Sequence, residues 1–116
     1  MKFHFFSEQK EKYVVFKLQG SPLTAGDFME LLKAVEVETE NHSPNVLLDL
    51  KGVAVINSEG LTALIKMMTR CRNQGGDLFI VNISDKISQV LLLTKLNSVL
   101  NIVPSAELAE EQFNRS

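Results

Sequence analysis

Residues 46–65 read VLLDLKGVAVINSEGLTALI, and the fold turns on how this stretch is divided. VLLDL is a near-continuous apolar run, the pattern of a central strand with both faces covered by helices. VAVI carries the apolar character through a strand or turn into Asn57, Ser58, Glu59 and Gly60. From there Leu61, Leu64, Ile65 and Met68 recur at helical spacing. A buried segment thus delivers a small hydroxyl, Ser58, to the start of a helix. Either Asn57 or Ser58 can serve as the N-cap, a role worth about 1 kcal/mol.

The same punctuation repeats on both sides. Upstream, FHFF at 3–6, a charged turn EQKEK, and YVVFKLQG, with Val14, Phe16 and Leu18 on one face, predict an opening hairpin. Ser21 and Pro22 break the extended run, and Thr24, with Asp27 three residues on, forms a capping-box-like start. Phe28, Leu31, Leu32 and Val35 then mark the inner face of an amphipathic helix. Downstream, the second helix ends at Asn73–Gly76, where Gly75 and Gly76 supply positive-φ geometry. LFIVNI at 78–83 is the next buried strand. Ser84 caps a third helix with Ile87, Val90 and Leu91 inward, and Val99–Val103 reads as a last strand. Pro104 and Ser105 introduce a closing helix through Phe113.

The order is therefore β-β-α-β-α-β-α-β-α over residues 1–116, with no linker, repeat or low-complexity tract. Strands alternating with helices need crossover connections, so the expectation is one α/β domain with a mixed, mostly parallel sheet and helices packed on it. A chain of 116 residues fits one core. The composition, 45% hydrophobic and 22% charged, is that of an ordinary globular protein.

Charge and length exclude several classes. A formal net charge of −2 lacks the clustered Lys and Arg that phosphate-backbone binding needs, so no direct nucleic-acid contact is expected. The longest apolar runs have four residues against the roughly 20 that span a bilayer, so no membrane insertion is expected. MKFHFF lacks the apolar core of a signal peptide. With one cysteine, Cys71, no internal disulfide can form. A cytoplasmic location is the simplest reading.

Chemistry-bearing residues do not assemble into a catalytic or metal-binding pattern. His4 and His42 fall in an edge-like strand and a loop, with no ligand at i+3 or i+4. Asp49, inside VLLDL, should be hydrogen-bonded or lie at the exposed end of its strand. Cys71 sits between Arg70 and Arg72, which would activate an exposed thiol, but it shares a helical stripe with residues 61, 64 and 68 and reads as core. Met67 and Met68 read as packing. Gly75-Gly76 has no phosphate-loop context. No enzyme, cofactor or metal site is expected.

The segment INSEGLTALI resembles the signature of the STAS family, the sulfate transporter and anti-sigma factor antagonist domains. In bacterial antagonists a D-S-x-G-L motif starts the second helix; here Asn57, Ser58, Glu59, Gly60 and Leu61 occupy those places. Asn57 stands for the usual acidic residue and Glu59 for a small hydroxyl residue. VVFKLQG, NVLLDLKGVAVINSEG, the Gly-Gly turn, LFIVNIS and LNSVLNIV match in order and spacing, so the resemblance covers nearly the whole chain.

The resemblance implies a non-enzymatic regulator: an anti-sigma factor antagonist that binds an anti-sigma factor with serine kinase activity and releases it on phosphorylation of Ser58, with a phosphatase as a possible further partner. ATP would belong to the kinase. Asn57, Ser58, Glu59, Gly60 and Thr62 would form the contact surface, Gly60 by letting the partner approach closely. Between Gly52 and Ile65 only Glu59 is charged, so a phosphate adding about −1.5 to −2 charges would transform that surface. The alternative is a STAS accessory or scaffold subunit of a transporter or signalling complex, in which Ser58 is only a cap.

Overall fold

The computed structural model describes residues 3–20 and 25–115. Its elements run β1 (His4–Gln9), β2 (Val14–Gln19), α1 (Ala25–Asn41), β3 (Val46–Gly52), α2 (Ser58–Asn73), β4 (Leu78–Val81), α3 (Asp85–Thr94), a 3-10 turn (Leu96–Ser98), β5 (Asn101–Ile102) and α4 (Ala106–Asn114). The expected order holds throughout. The five strands lie in sequence order, β1-β2-β3-β4-β5; β1 pairs antiparallel with β2, and the other pairs are parallel. VLLDL is the central strand.

Strand parity explains the two cores. Val14, Phe16 and Leu18 of β2, Val46, Leu48 and Leu50 of β3, and Leu78 and Ile80 of β4 all point to one face. Three successive parallel crossovers step the same way along the sheet, so a single handedness places their helices on the same side. There Phe28, Leu31 and Val35 of α1, Leu61, Leu64, Met67 and Met68 of α2, and Ile87 and Leu91 of α3 complete the main core. The alternate residues Val15, Leu47 and Val81 face the other way and meet Ala109 and Phe113 of α4. Phe113 stacks on Tyr13 at 5.0 Å between centroids and tilts against Phe79 at 4.9 Å.

Three expectations need correction. β1 runs on through Glu8 and Gln9, which pair with Val15 and Val14, so the hairpin turn falls at Lys10–Tyr13, closed by the Lys10 N–H donating to the Tyr13 carbonyl at 2.8 Å. The last strand is only Asn101–Ile102, not 99–103. The backbone is still helical at Val99 (φ −92°, ψ −44°), and the Leu100 N–H donates to the Leu96 carbonyl at 2.9 Å. Of the two glycines after α2, only Gly75 has positive φ, at 90°. Gly76 serves a close approach instead, since a Cβ there would lie 2.2 Å from the Pro44 carbonyl oxygen. The Ser21-Pro22 break and the Thr24 cap lie outside the described residues.

The caps at Ser84 and Ser105 are as expected: their hydroxyls accept from the Ile87 N–H at 3.1 Å and the Leu108 N–H at 3.2 Å. Because β2, β3 and β4 are parallel, their C-terminal ends lie at one end of the sheet. The site is built there.

Candidate functional site at the start of the second helix

Beyond Gly52 the chain leaves the sheet as an irregular segment, residues 53–57. Val53 plugs into the core at 1% exposure, and its N–H donates to the Leu50 carbonyl at 2.9 Å. Asn57 is extended (φ −99°, ψ −179°), and its Oδ1 accepts from the Gly60 N–H at 2.9 Å. Asn57 is thus the N-cap, and the ambiguity between Asn57 and Ser58 resolves in its favour. Ser58 becomes the first helical residue. Its side chain is exposed and its hydroxyl makes no hydrogen bond to any described residue, while its carbonyl accepts from the Thr62 hydroxyl at 3.0 Å.

Asn57, Ser58, Glu59 and Thr62 form one exposed patch on the first turn of α2. Gly60 does not join it. The residue is buried, and a Cβ there would come within 2.4 Å of both Ile56 Cγ1 and Phe28 Cζ. Its missing side chain lets α2 settle against α1 and its own incoming segment. This replaces the expectation that Gly60 opens room for a partner.

The helix is electrostatically ordered along its axis. Glu59 lies at the positive end of the dipole, and Arg70 and Arg72 lie in the last turn. Arg70 pairs with Glu36 of α1 at 3.3 Å and Arg72 with Asp77 at 3.1 Å. An added anion at Ser58 would meet favourable backbone N–H groups but also the neighbouring Glu59.

Next to the patch, an open groove of about 250 Å³ runs between α1 and α2. Phe28, Met29, Leu32 and Ala63 line it, with Glu59 and Lys66 at its margins. Met29 is 61% exposed although apolar. The groove leaves one signal in the sequence, Met29, an apolar residue just outside the inward stripe of α1.

The remaining candidates lie elsewhere. His42 is in the connection preceding β3, at the opposite end of the sheet, and its Nε2 donates to the Lys10 carbonyl at 3.0 Å. His4 is on the outer strand, edge-on to Phe6 at 5.3 Å. Asp49 Oδ1 accepts from the Lys51 N–H at 2.9 Å and from Asn82 Nδ2 at 3.0 Å, a structural staple. Cys71 is fully buried, and burial, reinforced by the negative charge of Asp77, pushes its thiol up to about 12, so it stays protonated and unreactive at neutral pH. Among the described residues no group of three or more His, Cys, Asp or Glu could hold a metal, and no helix is long and apolar enough to cross a membrane.

With the geometry fixed, comparison with known proteins is decisive for the family. The family model described as STAS domain matches residues 6–109. This chain belongs to the STAS domain family. Similar solved structures include a putative anti-sigma factor antagonist from Thermotoga maritima, 23% identical over 96% of this chain and 95% of that one, with a TM-score of 0.82. The anti-sigma factor antagonist SpoIIAA in its unphosphorylated form is 15% identical over 97% and 98%, with a TM-score of 0.79. The murine anion transporter Solute Carrier 26 family member A9 is 18% identical over 94% of this chain but 19% of its own length, with a TM-score of 0.75. At these identities the likeness is one of fold. No curated protein matches the sequence of this STAS domain.

Proposed function

We propose that this STAS domain is a bacterial, cytoplasmic anti-sigma factor antagonist that regulates sigma-dependent transcription through protein contact rather than catalysis. The unphosphorylated form binds an anti-sigma factor with serine kinase activity, through Asn57, Ser58, Glu59 and Thr62, and sets the sigma factor free. The observation that carries this reading is the exposed hydroxyl of Ser58, which Asn57 relieves of the capping role. The similarity to structures of antagonists, one of them in its unphosphorylated form, supports it.

In the transfer, Ser58 Oγ attacks the γ-phosphorus of ATP held by the kinase. An Oγ–P bond forms, the bond to the bridging oxygen of ADP breaks, and the hydroxyl proton passes to a base of the kinase. The product carries about −1.5 to −2 charges beside Glu59, on a surface with no other charge from Gly52 to Ile65. Repulsion and desolvation then break the contact, although the helix start itself tolerates an anion by roughly 0.3–1 kcal/mol. The switch acts on docking and leaves the fold in place. A phosphatase that removes the phosphate would reset it.

Incubation with the cognate kinase and ATP, followed by intact mass, should add one phosphate to wild type and none to Ser58→Ala. Ser58→Asp should weaken binding to the anti-sigma factor by at least about tenfold. Equal binding by wild type and Ser58→Asp would sink charge control at this position. The similarity to a domain of an anion transporter favours a second reading, an accessory or scaffold subunit with constitutive binding. That reading expects no phosphate uptake and the same affinity in all three proteins.

A further inference from the structure

The segment that presents Ser58 has no strand ladder to hold it. Val53 fixes one end and the Asn57 cap the other; between them Ala54 is exposed and Val55 and Ile56 are half-buried. The turn between β4 and α3 reaches across to it. Asn82 sits in the left-handed region at φ 60°, which its short amide side chain tolerates, and its Nδ2 bond to Asp49 ties this turn to the end of β3. Two residues on, the Ser84 hydroxyl donates to the Ala54 carbonyl at 2.6 Å while accepting from the Ile87 N–H at 3.1 Å. A hydroxyl has one proton to give and lone pairs to receive with, and Ser84 uses both functions at once. One atom caps α3 and grips the approach to Ser58.

We propose that Ser84 is a positioning residue for Ser58: its hydrogen bond to Ala54 holds the 53–57 segment in the shape that offers the Ser58 hydroxyl to a kinase. This rests on the reading of Ser58 as the phosphorylated residue and adds what presents it. A segment held in place beforehand saves the kinase the entropy of ordering it before in-line transfer.

Capping and gripping can be separated chemically. The carboxylate of Ser84→Asp still accepts from the Ile87 N–H but has no proton for Ala54, whereas Ser84→Thr keeps both functions. Amide hydrogen exchange, read by mass spectrometry on peptides spanning 53–60 and 84–92, tests the grip without a kinase. Ser84→Asp should speed exchange in 53–60 about fivefold and leave 84–92 protected, as expected for one lost hydrogen bond; Ser84→Thr should match wild type. Unchanged exchange in 53–60, or equal loosening of both peptides, would reduce Ser84 to a cap and overturn the proposal. With the kinase and ATP, Ser84→Ala should take up phosphate about fivefold more slowly than wild type, and Ser84→Thr at the wild-type rate. If wild type takes up no phosphate, the reading of Ser58 fails, while the exchange result still decides whether Ser84 grips the segment.

Discussion

The starts of α2 and α3 make an instructive pair. Both follow a parallel strand, both carry a serine, and both are opened by an extended polar residue whose side chain accepts from an N–H three residues on. At α3 the serine is the cap, and Ser84 also donates to Ala54, so its hydroxyl is fully engaged. At α2 the cap is the residue before the serine, and Ser58 is left with an exposed hydroxyl that no described residue engages. A shift of one position relative to the cap separates a structural serine from one available for chemistry.

The contrast can be broken first at the packing beneath α2. Gly60→Ala pushes a methyl group to 2.4 Å from Ile56 and Phe28, and urea denaturation should show a loss of about 2–3 kcal/mol. An unchanged midpoint would mean that the first turn is not seated as described. Ser84→Ala removes a cap and a tether together and should cost about 1.5–2 kcal/mol in the same assay. A cost no greater than about 1 kcal/mol, that of a lost cap alone, would erase the difference between the two starts.

Asn57→Ala loses the cap to the Gly60 N–H and should destabilise by about 1 kcal/mol or more. Were Ser58 to take over the capping bond, the loss would shrink towards zero and phosphate uptake would fall. The smallest effect belongs to Ser58→Ala, which should lie within about 0.5 kcal/mol of wild type because its exposed hydroxyl makes no hydrogen bond among the described residues. A loss near 1 kcal/mol would show that this serine also has a structural duty.

Much of this architecture is legible in the sequence because burial imposes periodicity. VLLDL and LFIV are apolar on both parities since helices cover both faces, and Phe28, Leu31 and Val35 repeat because α1 has one inward stripe. Ser84 and Ser105 are readable as caps from local order alone. The choice between Asn57 and Ser58 was not readable, because both residue types cap well and only the backbone decides. The role of Gly60 was hidden for a different reason: the atoms that exclude its side chain come from Phe28, far away in the chain, as well as Ile56. Val99–Val103 looked like a strand by composition, yet the 3-10 turn before it carries the helical hydrogen bonding to Leu100. The Ser84 grip on Ala54 spans 30 positions and leaves no trace in local pattern.

The strand order also bears on how the domain is made. Each strand joins the edge left by the strand before it, so no pairing has to wait for a distant segment to return. A chain emerging from the ribosome can add one strand-and-helix unit at a time onto the opening hairpin, with loop-closure costs kept small at every step. The cost of that route is an unpaired strand edge at every step, which falls to a two-residue edge strand on that side only when Asn101–Ile102 docks on β4. A synthesis arrested between Val81 and Asn101 should therefore be the most aggregation-prone intermediate, with Leu78–Val81 as its sticky edge.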